Sequence, residues 1–222
     1  MDYSQFFYMI PEAGLMAILV IVFLADLFLK GEKKHATLSM LTCALLVAQV
    51  VLCFNAQPAE AFAGLYTATA AAQVMKVILT VGAYIVVVMA QSWIEREDVL
   101  RKEGELYELV ISTLLGMYMM ISSGHFLMFF LGLEMASVPM ACLVAFDKYK
   151  KVSAEGAAKF ILTATFSSGV MLYGISFIYG ACGTLYFDDM AANLEYGTLG
   201  IRLAQTLGIG AQWDGFLKIY AP

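Results

Sequence analysis

Six long apolar stretches, at residues 9–29, 37–54, 69–91, 106–123, 125–146 and 154–180, alternate with short polar ones along this chain. Crossing roughly 30 Å of hydrocarbon takes about 20 mostly apolar residues at 1.5 Å each, so each stretch qualifies as a membrane-spanning helix or comes close. The second and fourth are short, which predicts little tilt or burial within a bundle. The segments between them are KGEKKH (30–35), AQPAEAFAGLY (56–66), WIEREDVLRKEGE (93–105), SSG (122–124) and DKYKKVS (147–153), all suited to helix–helix connections. The pattern predicts an all-α polytopic membrane protein of six spans, forming one bundle over residues 1–182. Residues 183–222 mix acids, glycines and short apolar pieces. They are expected to form an outer loop and the start of a truncated seventh helix.

Composition agrees: 61% of residues are hydrophobic and 14% charged, against about 45–50% and about 25% in soluble chains. The formal charge of −5 offers no basic face for nucleic acid. Cys43, Cys53, Cys142 and Cys182 lie in apolar segments without a C-x-x-C, and read as small buried hydrophobes, not as a metal site or a disulfide frame. The first apolar run is too long for the core of a signal peptide, so it is expected to remain as a span.

Charge orients the bundle. Lys30, Lys33 and Lys34 fill the first connection, Arg96, Arg101 and Lys102 the third, and Lys148, Lys150 and Lys151 the fifth, while the second and fourth carry no basic residue. By the positive-inside rule the odd connections face the cytoplasm, or its organellar equivalent, and the N-terminus lies outside.

One carboxylate stands out. Glu134, in FFLGLEMASVPMACLVAF (129–146), lies roughly 15–18 Å from either end of its span, too deep to reach water. An acid there costs about 2.5–3.5 kcal/mol and demands a partner or a polar cavity. Pro139, five residues on, cannot bond the Met135 carbonyl and marks a kink; Gly132 and Ala136 let a neighbouring helix come close. Two readings stand: a titrating group on a proton or ion path, or a neutral acid that locks two helices. Lys159, with Glu155 one turn earlier, reads as a functional group or as a surface pair. Lys76 reads as an anchor reaching outer water, Glu12 and Asp26 as helix-end residues, and His125 as interfacial. No nucleotide-binding glycine motif, metal-binding histidine pair or bis-histidine haem site is present in the sequence.

Three segments together, IPEAGLMAILVIVFLADLF (10–28), LGMYMMISSGHFLMFFLGLEMASVPMACLVAF (115–146) and SAEGAAKFILTATFSSGVMLYGISFIYGACGTL (153–185), resemble the antiporter-like membrane subunits of proton-pumping NADH–quinone oxidoreductase, respiratory complex I, above all the subunit N branch that includes mitochondrial NADH dehydrogenase subunit 2. LGLEMASVP is similar to the L-E-L-x-S-x-P segment of that family, and SAEGAAKF to its S-x-E-A-x-x-K-Y/F segment. The resemblance covers an N-terminal half. It implies a proton-translocating membrane-arm subunit of an NADH:quinone oxidoreductase (a translocase), with Glu134 and Lys159 in a mid-membrane relay. Lys218, in GFLKIYAP, falls near a further family lysine, although Pro222 follows it by four residues where the family has five. Glu155 and Lys76 are additional candidates. Implied partners are other membrane-arm subunits and the lipid bilayer, with quinone reached through the complex. NAD, FMN, iron–sulfur clusters and quinone would belong to that complex and not to this chain. Alternatives are a subunit of a cation/proton antiporter or membrane-bound hydrogenase, or a non-catalytic membrane scaffold.

The orientation is open to test. A single cysteine placed in the 55–68 connection, on a background lacking the four native ones, is expected to react with an impermeant maleimide from outside; reaction only after permeabilisation would reverse the topology.

Overall fold

The computed structural model describes residues 3–29, 34–94, 103–147 and 150–190. Lys218 and residues 191–222 lie outside the described residues, as do most of the basic side chains that fix the orientation. A 3-10 turn, Tyr3–Met9, leads into α1 (Ile10–Phe28), followed by α2 (Lys34–Asn55), β1 (Ala59–Ala61), β2 (Tyr66–Ala68), α3 (Ala70–Ile94), α4 (Glu103–Ile121), α5 (Phe126–Val144) and α6 (Lys151–Cys182). All six helices are long and apolar enough to cross a membrane. Three start earlier than the apolar runs suggest. α2 and α4 take up Lys34, His35 and Glu103 from the connections, and α6 begins at Lys151.

The second connection is not a plain loop. Ala59–Ala61 and Tyr66–Ala68 pair antiparallel, with Glu60 opposite Thr67. Phe62, Ala63 and Gly64 make the turn at positive φ (55°, 55° and 85°). Glycine adopts this region freely, whereas the other two are held there by their surroundings. Phe62 packs edge-on to Phe6, and its N–H donates to Gln5 Oε1 at 2.9 Å. The fold is therefore all-α except for one small hairpin.

That hairpin is tied to the other even-numbered connections by backbone. Thr67 N–H donates to the Ser122 carbonyl and Gly124 N–H to the Leu65 carbonyl, both at 2.9 Å. A Cβ on Gly124 would lie 2.0 Å from the Gly64 carbonyl oxygen, so glycine is what allows this approach. Beyond α6, Phe126 N–H donates to the Leu185 carbonyl and Phe187 N–H to the Gly124 carbonyl. The ends of five helices thus meet under one backbone-paired cap. At the opposite end Asp26 pairs with Lys34 at 2.9 Å, and His35 Nδ1 contacts the buried Glu103 carboxylate. The helix ends that flank the even and the odd connections separate to two faces, as alternating spans require.

Helices α1–α4 enclose the core. Leu15, Ile18 and Val22 face Leu38 and Leu46, Ala83 and Val87, and Ile111, Leu114 and Tyr118. The buried positions of α3, at 72, 76, 80, 83 and 87, recur at helical spacing. Its other faces carry exposed Val74, Met75, Ile78, Val81 and Ile85, as lipid contact demands. Apolar burial gives no drive between helices in lipid, so close packing must hold them. The α4–α5 crossing supplies it: a Cβ on Gly116 would meet the Ala136 amide nitrogen at 2.4 Å, and one on Gly132 the Met120 nitrogen at 2.7 Å. Gly116→Leu is expected to lower stability by about 2–3 kcal/mol through overpacking, whereas Gly82→Ala, which meets nothing within 4 Å, is tolerated. Unfolding of both variants in mixed detergent checks this; equal stability would contradict the close crossing.

Candidate functional site

Glu134 is the ninth of the 19 residues of α5. At 1.5 Å per residue its Cα sits about 12–15 Å from either helix end. Its side chain is half-buried and opens on a cleft of about 240 Å³ between α5 and α6, lined also by Ser137, Cys142, Phe160, Ile161 and Thr165. It has no hydrogen-bond or ion-pair partner among the described residues. Pro139 lies within α5, one turn beyond. Ser137 donates its hydroxyl back to the Leu133 carbonyl at 2.7 Å, so it lines the cleft without serving the acid. The glycines opposite explain the placement. Gly132 and Ala136 press on α4, which turns Glu134 toward α6.

Lys159 stands on α6, and its Nζ meets Glu155 Oε1 at 2.5 Å; both side chains are largely exposed, at 74% and 65%. The pair forms as its spacing predicts, but neither residue lines the Glu134 cleft. Much of α6 is exposed on this side, including Leu162, Phe166, Val170, Tyr173 and Phe177. His125 caps α5, its Nδ1 accepting from Leu127 N–H at 3.1 Å, with its ring edge-on to Tyr186. Two cysteines depart from expectation: Cys53 and Cys182 are buried, but Cys43 is half-buried and Cys142 exposed; none of the four is in a disulfide.

Lys76 and Glu12 depart further. Neither reaches water. Lys76 is fully buried and Glu12 is 3% exposed, and they form an ion pair of 2.5 Å between α3 and α1. Glu12 Oε1 also accepts from Ser122 Oγ at 3.2 Å, and Oε2 from the Tyr66 hydroxyl at 3.0 Å. Lys76 Nζ lies 5.4 and 5.5 Å from the ring centroids of Tyr66 and Tyr118. The Tyr118 hydroxyl continues the network to Thr80 Oγ1 and to Cys53 Sγ (3.1 Å), and Cys53 Sγ accepts from Gln49 Nε2 at 3.8 Å. Burial first, and then the Glu12 carboxylate, push the Tyr66 phenol up from its ordinary range, so it remains a donor. The signal for this cluster was present in the sequence. Lys76 shares a helical stripe with Ala72, Thr80, Ala83 and Val87, which is the inward face of α3.

Comparison with known proteins follows the same lines. The transmembrane family model described as NADH:quinone oxidoreductase/Mrp antiporter matches residues 123–212, which include Glu134, Glu155 and Lys159. NADH-quinone oxidoreductase subunit N of Phocaeicola vulgatus is 53% identical over 194 residues, covering 87% of this chain and 41% of that protein. The subunit N of Azobacteroides pseudotrichonymphae is 42% identical, covering 92% and 45%. In structure, respiratory complex I from Thermus thermophilus with bound aureothin contains a chain that superposes with a TM-score of 0.66 at 25% identity, covering 79% of this chain and 38% of that one. The chain spans under half the length of these relatives.

Removing one partner of a buried ion pair strands the other charge, at a cost of about 3–5 kcal/mol. Lys76→Ala is therefore expected to cost that much in an unfolding titration in lipid–detergent mixtures; a loss below about 1 kcal/mol would mean the pair is solvated.

Proposed function

We propose that this chain, which belongs to the subunit N family of NADH-quinone oxidoreductases, is a proton-translocating part of the membrane arm, with Glu134 holding and releasing the transferred proton. The observation that carries this reading is the placement of Glu134 at the middle of α5, half-buried on a cleft and without a partner among the described residues. A stabilising acid would be bonded to the helix it locks. An acid left open on a cleft is placed to change partners.

The chemistry is a proton transfer governed by neighbouring charge. Burial favours the neutral acid, and an approaching cation favours the carboxylate. Moving a lysine toward Glu134 therefore expels its proton, and moving it away recovers one. Lys159 lies on the helix across the cleft, next in sequence to the lining residues Phe160 and Ile161. Its exposed ion pair with Glu155 supports this role, because a charged pair within a span that faced lipid would be costly. The α5–α6 face belongs against protein or water. Electron transfer from NADH to quinone takes place elsewhere in the parent complex and drives the movement of charge. Other membrane-arm subunits are the partners in this reading, and the odd connections, which carry the basic residues, face the bacterial cytoplasm.

In the assembled complex in proteoliposomes, Glu134→Gln is expected to leave quinone reduction measurable while lowering protons moved per electron, and Glu134→Asp to retain part of the pumping. Lys159→Ala is expected to assemble normally and to pump less. Undiminished pumping in Glu134→Gln would make Glu134 a packing residue; undiminished pumping in Lys159→Ala would return the Lys159–Glu155 pair to a surface role.

A further inference from the structure

The Glu12–Lys76 pair remains unused by this reading, and it is the most completely buried ion pair among the described residues. Stability does not explain it. Desolvating two ions costs several kcal/mol each, and apolar replacements of such pairs are often neutral or stabilising. The surroundings contain more than an ion pair needs. Glu12 accepts from three donors, Lys76, Ser122 and Tyr66. Tyr66 also accepts from Lys76 Nζ at 3.4 Å, so its hydroxyl bridges the two partners. Lys76, besides its carboxylate, has the faces of two tyrosine rings within about 5.5 Å. Those rings are a second place for the ammonium to rest, since a desolvated cation gains substantially from an aromatic face.

From this arrangement we infer that Glu12 and Lys76 form a second proton-holding site, under the hairpin cap and apart from Glu134, which loads and unloads one proton on Glu12. The inference rests on the translocation reading above. In one state Glu12 is a carboxylate paired with Lys76 and the site is neutral. In the other, one proton has come from water onto a Glu12 oxygen, and Lys76 stays cationic, held by the rings of Tyr66 and Tyr118 and by the Tyr66 hydroxyl oxygen. Release returns that proton to water and restores the pair. No bond other than O–H changes, and the net charge of the site alternates between zero and plus one.

Access is available from two directions. Ser122 and Tyr66 belong to the backbone-paired cap, so movement of the hairpin would uncover Glu12. On the other side a cleft of about 280 Å³ between α2 and α3 is lined by Cys53, Gln73, Val74 and Val77. Cys53 reaches Tyr118, and through it the lysine. Gln49 Oε1 and Gln73 Nε2 are buried near this path without a protein partner among the described residues, and polar atoms so placed attract water. The titratable groups that face the pair are Tyr66 from β2, Tyr118 from α4 and Cys53 from α2. No other charged side chain bonds to it among the described residues.

The test compares three variants of the assembled complex in proteoliposomes. Tyr66→Phe keeps the ring and removes one donor from the Glu12 carboxylate, so Glu12 takes up its proton at higher pH. The pH profile of proton translocation is expected to move up by about one unit, the equivalent of one hydrogen bond to a charged group. The double variant Glu12→Gln/Lys76→Met removes both charges and leaves none stranded. It is expected to assemble and to reduce quinone while moving fewer protons per electron. A purely structural pair predicts an unshifted profile for Tyr66→Phe and full pumping in the double variant, and either result overturns the inference. Glu134→Gln, run alongside, separates the two claims. Loss of pumping there with normal pumping in the double variant overturns this site alone; normal pumping in both sinks the translocation reading as well. If the double variant fails to assemble, the Tyr66→Phe profile decides by itself.

Discussion

Hydrocarbon cannot solvate a polar group, and the arrangement of this chain follows from how each one is met. Backbone groups are satisfied within six helices, and the even-numbered connections pair with one another in a cap. Side chains have no such automatic solution. Glu12 is met by a lysine and two hydroxyls, Glu103 by His35, and Asp26 by Lys34. Glu134, at the middle of its span, is given a cleft but no bond by the described residues.

The same constraint divides the bundle into two parts with different surfaces. Helices α1–α4 close around a core in which Leu15, Val22, Leu46, Val87 and Ile111 are fully buried, with the polar cluster around Glu12 toward the capped end. Helices α5 and α6 lie to one side. They are joined to the rest through the glycine crossing at Gly116 and Gly132 and through the backbone-paired cap. The half that is tightly packed carries the compensated Glu12–Lys76 pair; the half that is open carries Glu134, which has no such partner among the described residues. This division suits a subunit in which one part is a frame and the other meets moving charge.

Much of this was legible in the sequence, because span length and the distribution of charge are direct consequences of the bilayer. The six helices fall where the apolar runs lie, and the depth of Glu134 and the small residues that set its helix against α4 could be read from FFLGLEMASVP. The i, i+4 spacing of Glu155 and Lys159 gave their pair. Other features were not visible, for physical reasons. The hairpin in AQPAEAFAGLY has no alternating pattern, because its strands are three residues long and its turn is held by Phe6, Gln5 and Gly124 from elsewhere in the chain. The depth of Lys76 in its span, taken alone, would let its stem reach water. Its helical face decided otherwise, since the stripe through Ala72, Thr80 and Ala83 turns it inward toward Glu12, 64 residues earlier. Depth tells what a charge would cost; the face tells where its partner lies.

The account stands or falls on whether the Glu134 carboxyl changes its protonation state in the membrane. Infrared difference spectroscopy of the assembled complex in lipid, taken across pH and compared with Glu134→Gln, measures this without reference to pumping. The expected result is a protonated carboxyl stretch that titrates in the native protein and is missing from the variant. A carboxyl band assigned to Glu134 that stays constant over the whole working range of pH would contradict the account and leave this acid as a fixed part of the helix packing.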